Sequence, residues 1–245
     1  MKPFEELLKT SSEAHGHLCP GQVVGVRMAL LGCKLIGLDE PTSREQIKKL
    51  IVFVEMDRCT GDAVAHVTGV KLGRRSLKFM DYGIMAATFV NLETGRAYRI
   101  LSTEESREIA PSYAPEIIEK RKQQLEAYKR MPDSVLFRVQ EVDISLSEFD
   151  LPGPTHRKTR CSRCGQVVRD GREVVIGDLS LCKPCAEGAY FINAREVSWQ
   201  NMNWSPEQRR DFPTMTEYSE NFFHDSVSSV NEHRMMLMPF ENSSE

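Results

Sequence analysis

Four cysteines in two close pairs constrain the fold of this chain more than any other feature. Cys161 and Cys164 form the first pair, and Cys182 and Cys185 form the second after seventeen intervening residues. This C-x2-C…C-x2-C spacing is typical of a tetrahedral zinc site, because each short turn points two sulfurs at one ion. Four thiolates leave no open coordination position. The spacing therefore predicts a structural zinc in a small cysteine module.

Composition and charge narrow the class of protein. The chain has 245 residues and seven cysteines, with 40% hydrophobic residues, 27% charged residues and a formal net charge of -3. These values are typical of globular proteins, and they offer no global basic field for nucleic acid. No apolar run is long enough to span a membrane, and the first ten residues lack the apolar segment of an export signal. We therefore expect a cytoplasmic protein, in which metal or thiol chemistry explains the cysteines better than disulfides.

A second group of metal-binding residue types lies in the first quarter of the chain. The loop HGHLCPG contains His17 and Cys19, and Pro20 is expected to start a helix directly after it. Cys59 follows an apolar run at 50–56 that predicts a buried strand, and Thr60 is expected to cap a short helix there. Backbone N–H groups at helix starts favour thiolates.

These positions predict a metal-binding or reactive site in one cleft. We expect His17, Cys19 and Cys59 to bind a second divalent metal, and thiolate with imidazole is a zinc-type ligand set. His15 and Asp62 lie beside them and are candidates for proton transfer. The alternative is that the cysteines are small buried side chains and the histidines are ordinary loop residues.

The order of predicted elements favours an α+β domain over residues 1–149, with helices packed on a mixed sheet of several strands. Its clearest helix is predicted at 115–131, with an apolar stripe formed by Ile117, Ile118, Leu125 and Tyr128. Residues 150–190 are expected to hold a basic linker and the cysteine module. Residues 191–245 are expected to dock on the body or on a dimer partner through Trp199, Trp204, Phe222 and Phe223.

Two sequence blocks resemble a known family. HGHLCPGQVVGVRM (15–28) and VEMDRCTGDAVAHVTGVKLGRRSLKFMDYG (54–83) are similar to the signatures of the formylmethanofuran dehydrogenase E-subunit family, over residues 1 to about 145. The resemblance implies a thioredoxin-like mixed sheet flanked by helices, a homodimer and a treble-clef-type zinc finger after the first domain. It also implies a site at His17, Cys19 and Cys59, which holds zinc in some members. Ile84 stands where the family commonly has lysine, so ligand or activity can differ here.

Four functions follow from these features. The first is a metal-binding accessory or subunit-like protein of a molybdenum or tungsten oxidoreductase, as the resemblance implies. The second is a stand-alone zinc enzyme with an open coordination position at His17, Cys19 and Cys59. The third is a thiol redox protein that cycles Cys19 and Cys59. The fourth, nucleic-acid binding through the zinc finger and the basic residues at 157–163, is disfavoured by the overall charge.

Overall fold

The computed structural model describes residues 1–195. The chain divides into two units, Met1–Pro154 and Thr155–Glu245. Most of the predicted docking segment 191–245, including its four aromatic anchors, lies outside the described residues, so its docking stays a prediction. Among residues 1–195, no helix is both long and apolar enough to cross a membrane.

The first unit contains a five-stranded mixed sheet. Its strands are β1 (Leu50–Val54), β2 (Leu77–Phe79), β3 (Ala86–Asn91), β4 (Ala97–Ser102) and β5 (Phe137–Glu141). They lie in the order β2-β1-β3-β4-β5. β1 and β2 are parallel, whereas every other pair is antiparallel. Val52 on β1 lies opposite Leu77 on one side and Phe89 on the other, so the apolar run at 50–54 occupies the middle of the sheet.

Helices cover one face of this sheet. They are α1 (Phe4–His15), α2 (Pro20–Leu35), α3 (Cys59–Thr68), α4 (Glu104–Glu108), α5 (Ala110–Tyr113), α6 (Lys120–Arg130) and α7 (Asp133–Leu136). α2 is the central helix, because Val23, Val26 and Met28 are fully buried in the main core. Cys33 on the same helix is also fully buried.

The segment after β5 packs on the opposite face of the sheet. Val142, Ile144 and Leu146 contact a small apolar cluster centred on Ile51, Val90 and Ala97. Beside this cluster, the buried carboxylate of Glu55 receives two hydrogen bonds from Arg99, of 2.6 and 2.7 Å. Both sheet faces are therefore covered, and the predicted α+β class with a mixed sheet and flanking helices is confirmed. The finer thioredoxin-like description stays a prediction.

The structure corrects two local predictions. The helix predicted at 115–131 begins only at Lys120, where the Glu119 carboxylate accepts a hydrogen bond from the Arg121 N–H group. Ile118 therefore lies outside the helix and is 98% exposed rather than part of an apolar stripe. Thr60 does not cap α3, because the helix already begins at Cys59 and the Thr60 hydroxyl instead donates to the Gly21 carbonyl.

The described part of the second unit, residues 155–195, contains two small hairpins and a short helix. These are β6 (Lys158–Arg160) with β7 (Val167–Arg169), β8 (Val174–Ile176) with β9 (Leu179–Leu181), and α8 (Lys183–Glu187). Cys161, Leu181 and Cys182 form the centre of its small core. A core of this size is too small to stabilise such a module by apolar burial alone.

Candidate metal centre

The first candidate site lies where α1 ends and α2 begins. His15 is the last residue of α1, and Gly16 follows in the left-handed conformation at φ 94°. Such a conformation suits glycine, and it turns the chain back toward α2 within three residues. Cys19 is the N-terminal cap residue of α2, so the turn brings both ends of the HGHLC segment together.

Three donor atoms converge in this turn. One donor atom each from His15, His17 and Cys19 lie within 4.8 Å of one another. The two imidazole rings are 4.7 Å apart between their centroids. Cys19 is buried, His15 is half-buried and His17 is exposed. Imidazole and thiolate together are ligands of zinc and of other transition metals, and the separations need only shorten slightly around an ion.

Asp62 fixes the orientation of His15. The Nδ1 atom of His15 lies 2.9 Å from Oδ2 of Asp62, which is in the first turn of α3. A carboxylate only accepts hydrogen bonds, so Nδ1 carries the proton and donates it. In the neutral imidazole this leaves the lone pair on Nε2, and the buried Nε2 atom has no hydrogen-bond partner among residues 1–195. A carboxylate that orients a histidine in this way is typical of metal-binding histidines.

Close contact between α2 and α3 places Cys59 next to Cys19. A methyl group added at Gly21 would lie 2.9 Å from the Cβ atom of Cys59. One added at Gly25 would lie 2.6 Å from both the Thr60 carbonyl oxygen and the Ala63 Cβ atom. The two glycines therefore let the starts of both helices approach each other, as small residues do at tight helix contacts.

The half-buried Cys59 thiol lies near the Cys19 side chain, close enough for the two thiols to influence each other's ionisation. Burial raises the pKa of Cys59, and the neighbouring Cys19 and the Asp62 carboxylate raise it further. The prediction that a helix start makes Cys59 ionise readily is therefore wrong for the polypeptide alone. Cys59 is not among the three residues whose donor atoms cluster within 4.8 Å, so its place in the ligand set stays a prediction.

The sequence predictions missed the residues that hold these helix starts together. Gln22 is fully buried on α2, and its side chain contacts both α1 and α3. Two signals in the sequence could have revealed this contact. Gly21 and Gly25 are four residues apart on an otherwise apolar helix, and Gln22 is an amide among core positions.

The second candidate site is the four-cysteine cluster. The sulfurs of Cys161, Cys164, Cys182 and Cys185 lie within 4.8 Å of one another, and those of Cys164 and Cys182 are 3.7 Å apart. In the first pair, the Gly165 N–H group donates to the Cys161 carbonyl at 3.0 Å. In the second pair, Cys185 donates in the same way to Cys182, which caps α8. The predicted convergence of two C-x2-C turns on one point is therefore present.

Backbone groups around this cluster favour a thiolate at one position. Burial alone would raise the pKa of Cys161, but the N–H groups of Cys164, Cys182 and Arg163 outweigh burial and lower the pKa to about 6. Burial and the neighbouring thiols raise the pKa of Cys185. The pKa is lowered at Cys161 and raised at Cys185, so the four thiols do not all ionise on their own. A bound cation would offset the charge of four thiolates, which fits a metal site.

Two arginines of the predicted basic cluster donate hydrogen bonds to backbone carbonyls of the cysteine module. The Arg163 side chain donates to the Cys185 carbonyl at 2.6 Å, and that of Arg160 donates to the Gly165 carbonyl at 2.9 Å. Arg157 pairs with Glu173. These three charges therefore already have partners within the module, which weakens the nucleic-acid hypothesis.

Two known proteins are similar to this chain. The chain is 27% identical over 214 residues to a probable S-adenosyl-L-methionine-binding protein of Archaeoglobus fulgidus. The match covers 78% of this chain but spans only 55% of that relative. A crystal structure of a tungsten formylmethanofuran dehydrogenase E-subunit (FmdE)-like protein from Syntrophus aciditrophicus is 20% identical, with a TM-score of 0.49. This match covers 77% of the chain and 95% of the solved one.

The family model described as "FmdE, Molybdenum formylmethanofuran dehydrogenase operon" matches residues 14–139, which is more than half of the chain. The matched range includes the HGHLC turn and the start of α3, and therefore all residues of the first candidate site. This chain belongs to the FmdE family.

Proposed function

We propose that this chain is a metal-binding accessory or subunit-like protein of a molybdenum or tungsten oxidoreductase of the formylmethanofuran dehydrogenase type. It holds a divalent metal, zinc by its ligand chemistry, at the HGHLC turn, and a structural zinc in the four-cysteine module. The buried Nε2 atom of His15 carries the proposal, because a histidine oriented by Asp62 with its second nitrogen unpartnered among the described residues suits a cation.

The ligand set of the first site follows from the positions of its donors. His15 and His17 supply imidazole nitrogens, and Cys19 supplies a thiolate from the start of α2. The Cys59 thiol next to Cys19 is the candidate for the fourth position. Asp62 orients His15 and balances the charge of the ion from the outside.

An accessory role fits this site better than independent catalysis. The family takes its description from the molybdenum formylmethanofuran dehydrogenase operon, which supplies the type of partner. In this proposal Asp62 orients His15 and the His15 Nε2 atom binds the metal, so neither candidate proton-transfer residue remains as a general base. An accessory protein needs no general base, only a site from which a metal or a thiol can reach its partner.

Metal analysis of the full chain, followed by capture of the native partner, tests the proposal. We expect two divalent ions per chain, one of which is lost in the variants His17→Ala and Cys19→Ser. Replacement of the fully buried Cys33 by Ala is the matched control, because it removes a thiol that belongs to neither cluster. One ion in the wild-type chain under saturating zinc would overturn the metal site.

The partner requires a separate test. Tagged chain recovered from its native cells should carry a protein with a molybdopterin cofactor, identified by the fluorescence of the oxidised pterin. The His17→Ala variant should recover less of that protein. Two bound ions without any molybdopterin protein would reject the accessory role but leave the metal site intact.

The stand-alone zinc enzyme is a second candidate because only three donors cluster within 4.8 Å among the described residues of this turn. Three protein ligands leave a fourth position open for water, which is the arrangement of catalytic zinc. The Cys59→Ser variant separates a closed site from an open one at this turn. Loss of affinity in this variant indicates a closed site with Cys59 as ligand, whereas unchanged affinity indicates an open site.

A further inference from the structure

Gln22 is not a candidate metal ligand, but its side chain contacts the chain segments that carry the ligands. It is fully buried in α2, three residues after Cys19, and glutamine is rarely buried to this extent. A buried carboxamide costs free energy unless its hydrogen bonds are satisfied. The partners that satisfy it connect three helices at the first candidate metal site.

The contacts of Gln22 reach the main chain of both site cysteines. Its backbone N–H group donates to the Cys19 carbonyl at 3.0 Å. Its side-chain Nε2 atom donates to the Cys59 carbonyl at 2.8 Å. One residue thus holds the start of α2 and the start of α3 at a fixed separation.

A third contact fixes the carboxamide itself. The Ser11 hydroxyl, buried on α1, donates to Oε1 of Gln22 at 2.5 Å. This bond assigns the oxygen to the α1 side and leaves the nitrogen facing Cys59. Because α1 also ends in His15, Gln22 links all three chain segments that contribute to the site.

We propose that Gln22 is a positioning residue of the metal centre, which sets the separation between the Cys19 and Cys59 thiols and the histidine turn. This inference rests on the proposed metal site. Outer contacts of this kind typically change metal affinity by about 10- to 100-fold when they are removed.

The Gln22→Met variant tests this role, since methionine has a similar volume but makes none of these side-chain hydrogen bonds. Gln123→Met is the matched control, because the Gln123 side chain also donates to two carbonyls, those of Ala114 and Ile117. Affinity of the full chain for zinc is measured by competition with a chromophoric chelator. The four-cysteine module in the same chain serves as an internal reference for each variant.

We expect Gln22→Met to weaken the first site by about 10- to 100-fold and to leave the module unchanged. Gln123→Met should lower the melting temperature but bind both ions as the wild type does. Equal affinity of the two variants would overturn the positioning role.

The Ser11→Ala variant keeps the bond to Cys59 and removes only the anchor of the carboxamide. A loss of affinity smaller than that of Gln22→Met is expected. If Gln22→Met does not fold, this variant carries the test, and wild-type affinity in folded Ser11→Ala would reject the proposal. Failure of the wild-type chain to bind a second ion would instead reject the metal site itself.

Discussion

The Nδ1 atom of His15 and the Oδ2 atom of Asp62 are 2.9 Å apart although 47 residues separate them in the chain. The contact joins the end of α1 to the first turn of α3. It determines which nitrogen of His15 is free, and therefore which atom can bind a cation. The Asp62 side chain is 69% exposed, so this contact contributes more to ring orientation than to stability.

Replacing Asp62 by Asn tests this relationship. Asparagine can accept the same hydrogen bond through its oxygen but carries no charge, so it holds the ring less firmly and makes His15 a weaker donor. We expect zinc affinity at the first site to fall by about tenfold or more, with little change in melting temperature. Asp39→Asn, in the exposed turn after α2, is the control and should bind as the wild type does. Wild-type affinity in Asp62→Asn would show that the carboxylate does not act on the metal.

Much of the fold could be predicted because periodicity and helix boundaries are local properties. The apolar run beginning at Leu50 marked a real strand, and Pro20 marked the start of a real helix. The helix predicted at 115–131 was too long because Ile118 looks apolar in sequence, whereas the local chain turns away from the core before Lys120.

The site was less predictable because its geometry depends on tertiary contacts. The residue types at His15, His17 and Cys19 were evident from one short loop, and these donors do cluster. The relation of His15 to Asp62 and the environment of Cys59 depend on how closely α3 approaches α2. Burial and the neighbouring Cys19 thiol raise the pKa of Cys59. The position of Cys59 at a helix start, which is all that the sequence indicates, predicts neither its burial nor this neighbour.

Replacing Gly25 tests how closely α2 and α3 approach each other. In Gly25→Ala, the new methyl group would meet the Thr60 carbonyl and Ala63 Cβ at 2.6 Å, so α3 must move away from α2. We expect a loss of about 1–3 kcal/mol in the free energy of unfolding, measured in urea, together with weaker zinc binding at the first site. Gly73→Ala is the control, since a methyl group there meets no atom within 4 Å. Unchanged stability in Gly25→Ala would mean that the helix contact is looser than the structure indicates.

A further prediction concerns the four-cysteine module. Replacing Cys182 by Ser removes one sulfur of the cluster and the cap residue of α8. We expect loss of one zinc per chain and rapid proteolysis within residues 155–195, while the first unit keeps its stability, because folding of such modules is coupled to metal binding. Cys33→Ala should keep both ions. A Cys182→Ser chain with full zinc content and an unchanged protease pattern would reject the structural role.

The buried thiol of Cys33 gives the chain a defined dependence of stability on pH. Burial raises the pKa of Cys33 from 9.0 to about 12 in the folded protein. The unfolded chain exposes this thiol, which then ionises near its ordinary value. Between these two pH values the unfolded state binds fewer protons than the folded state, so the folded state loses stability as pH rises.

The stability linked to the raised pKa of Cys33 is fully present below about pH 9 and is lost progressively above it. By pH 10 the free energy of unfolding of the wild type should be lower through this thiol by about 1.4 kcal/mol than at pH 7. Cys33→Ala has no such thiol, so the difference in unfolding free energy between the two proteins should shrink by that amount. Urea titrations of both proteins at pH 7, 8, 9 and 10 measure the difference, and all other titrating groups cancel because the two chains share them. A constant difference across this range would show that the Cys33 thiol is accessible to water in the folded state.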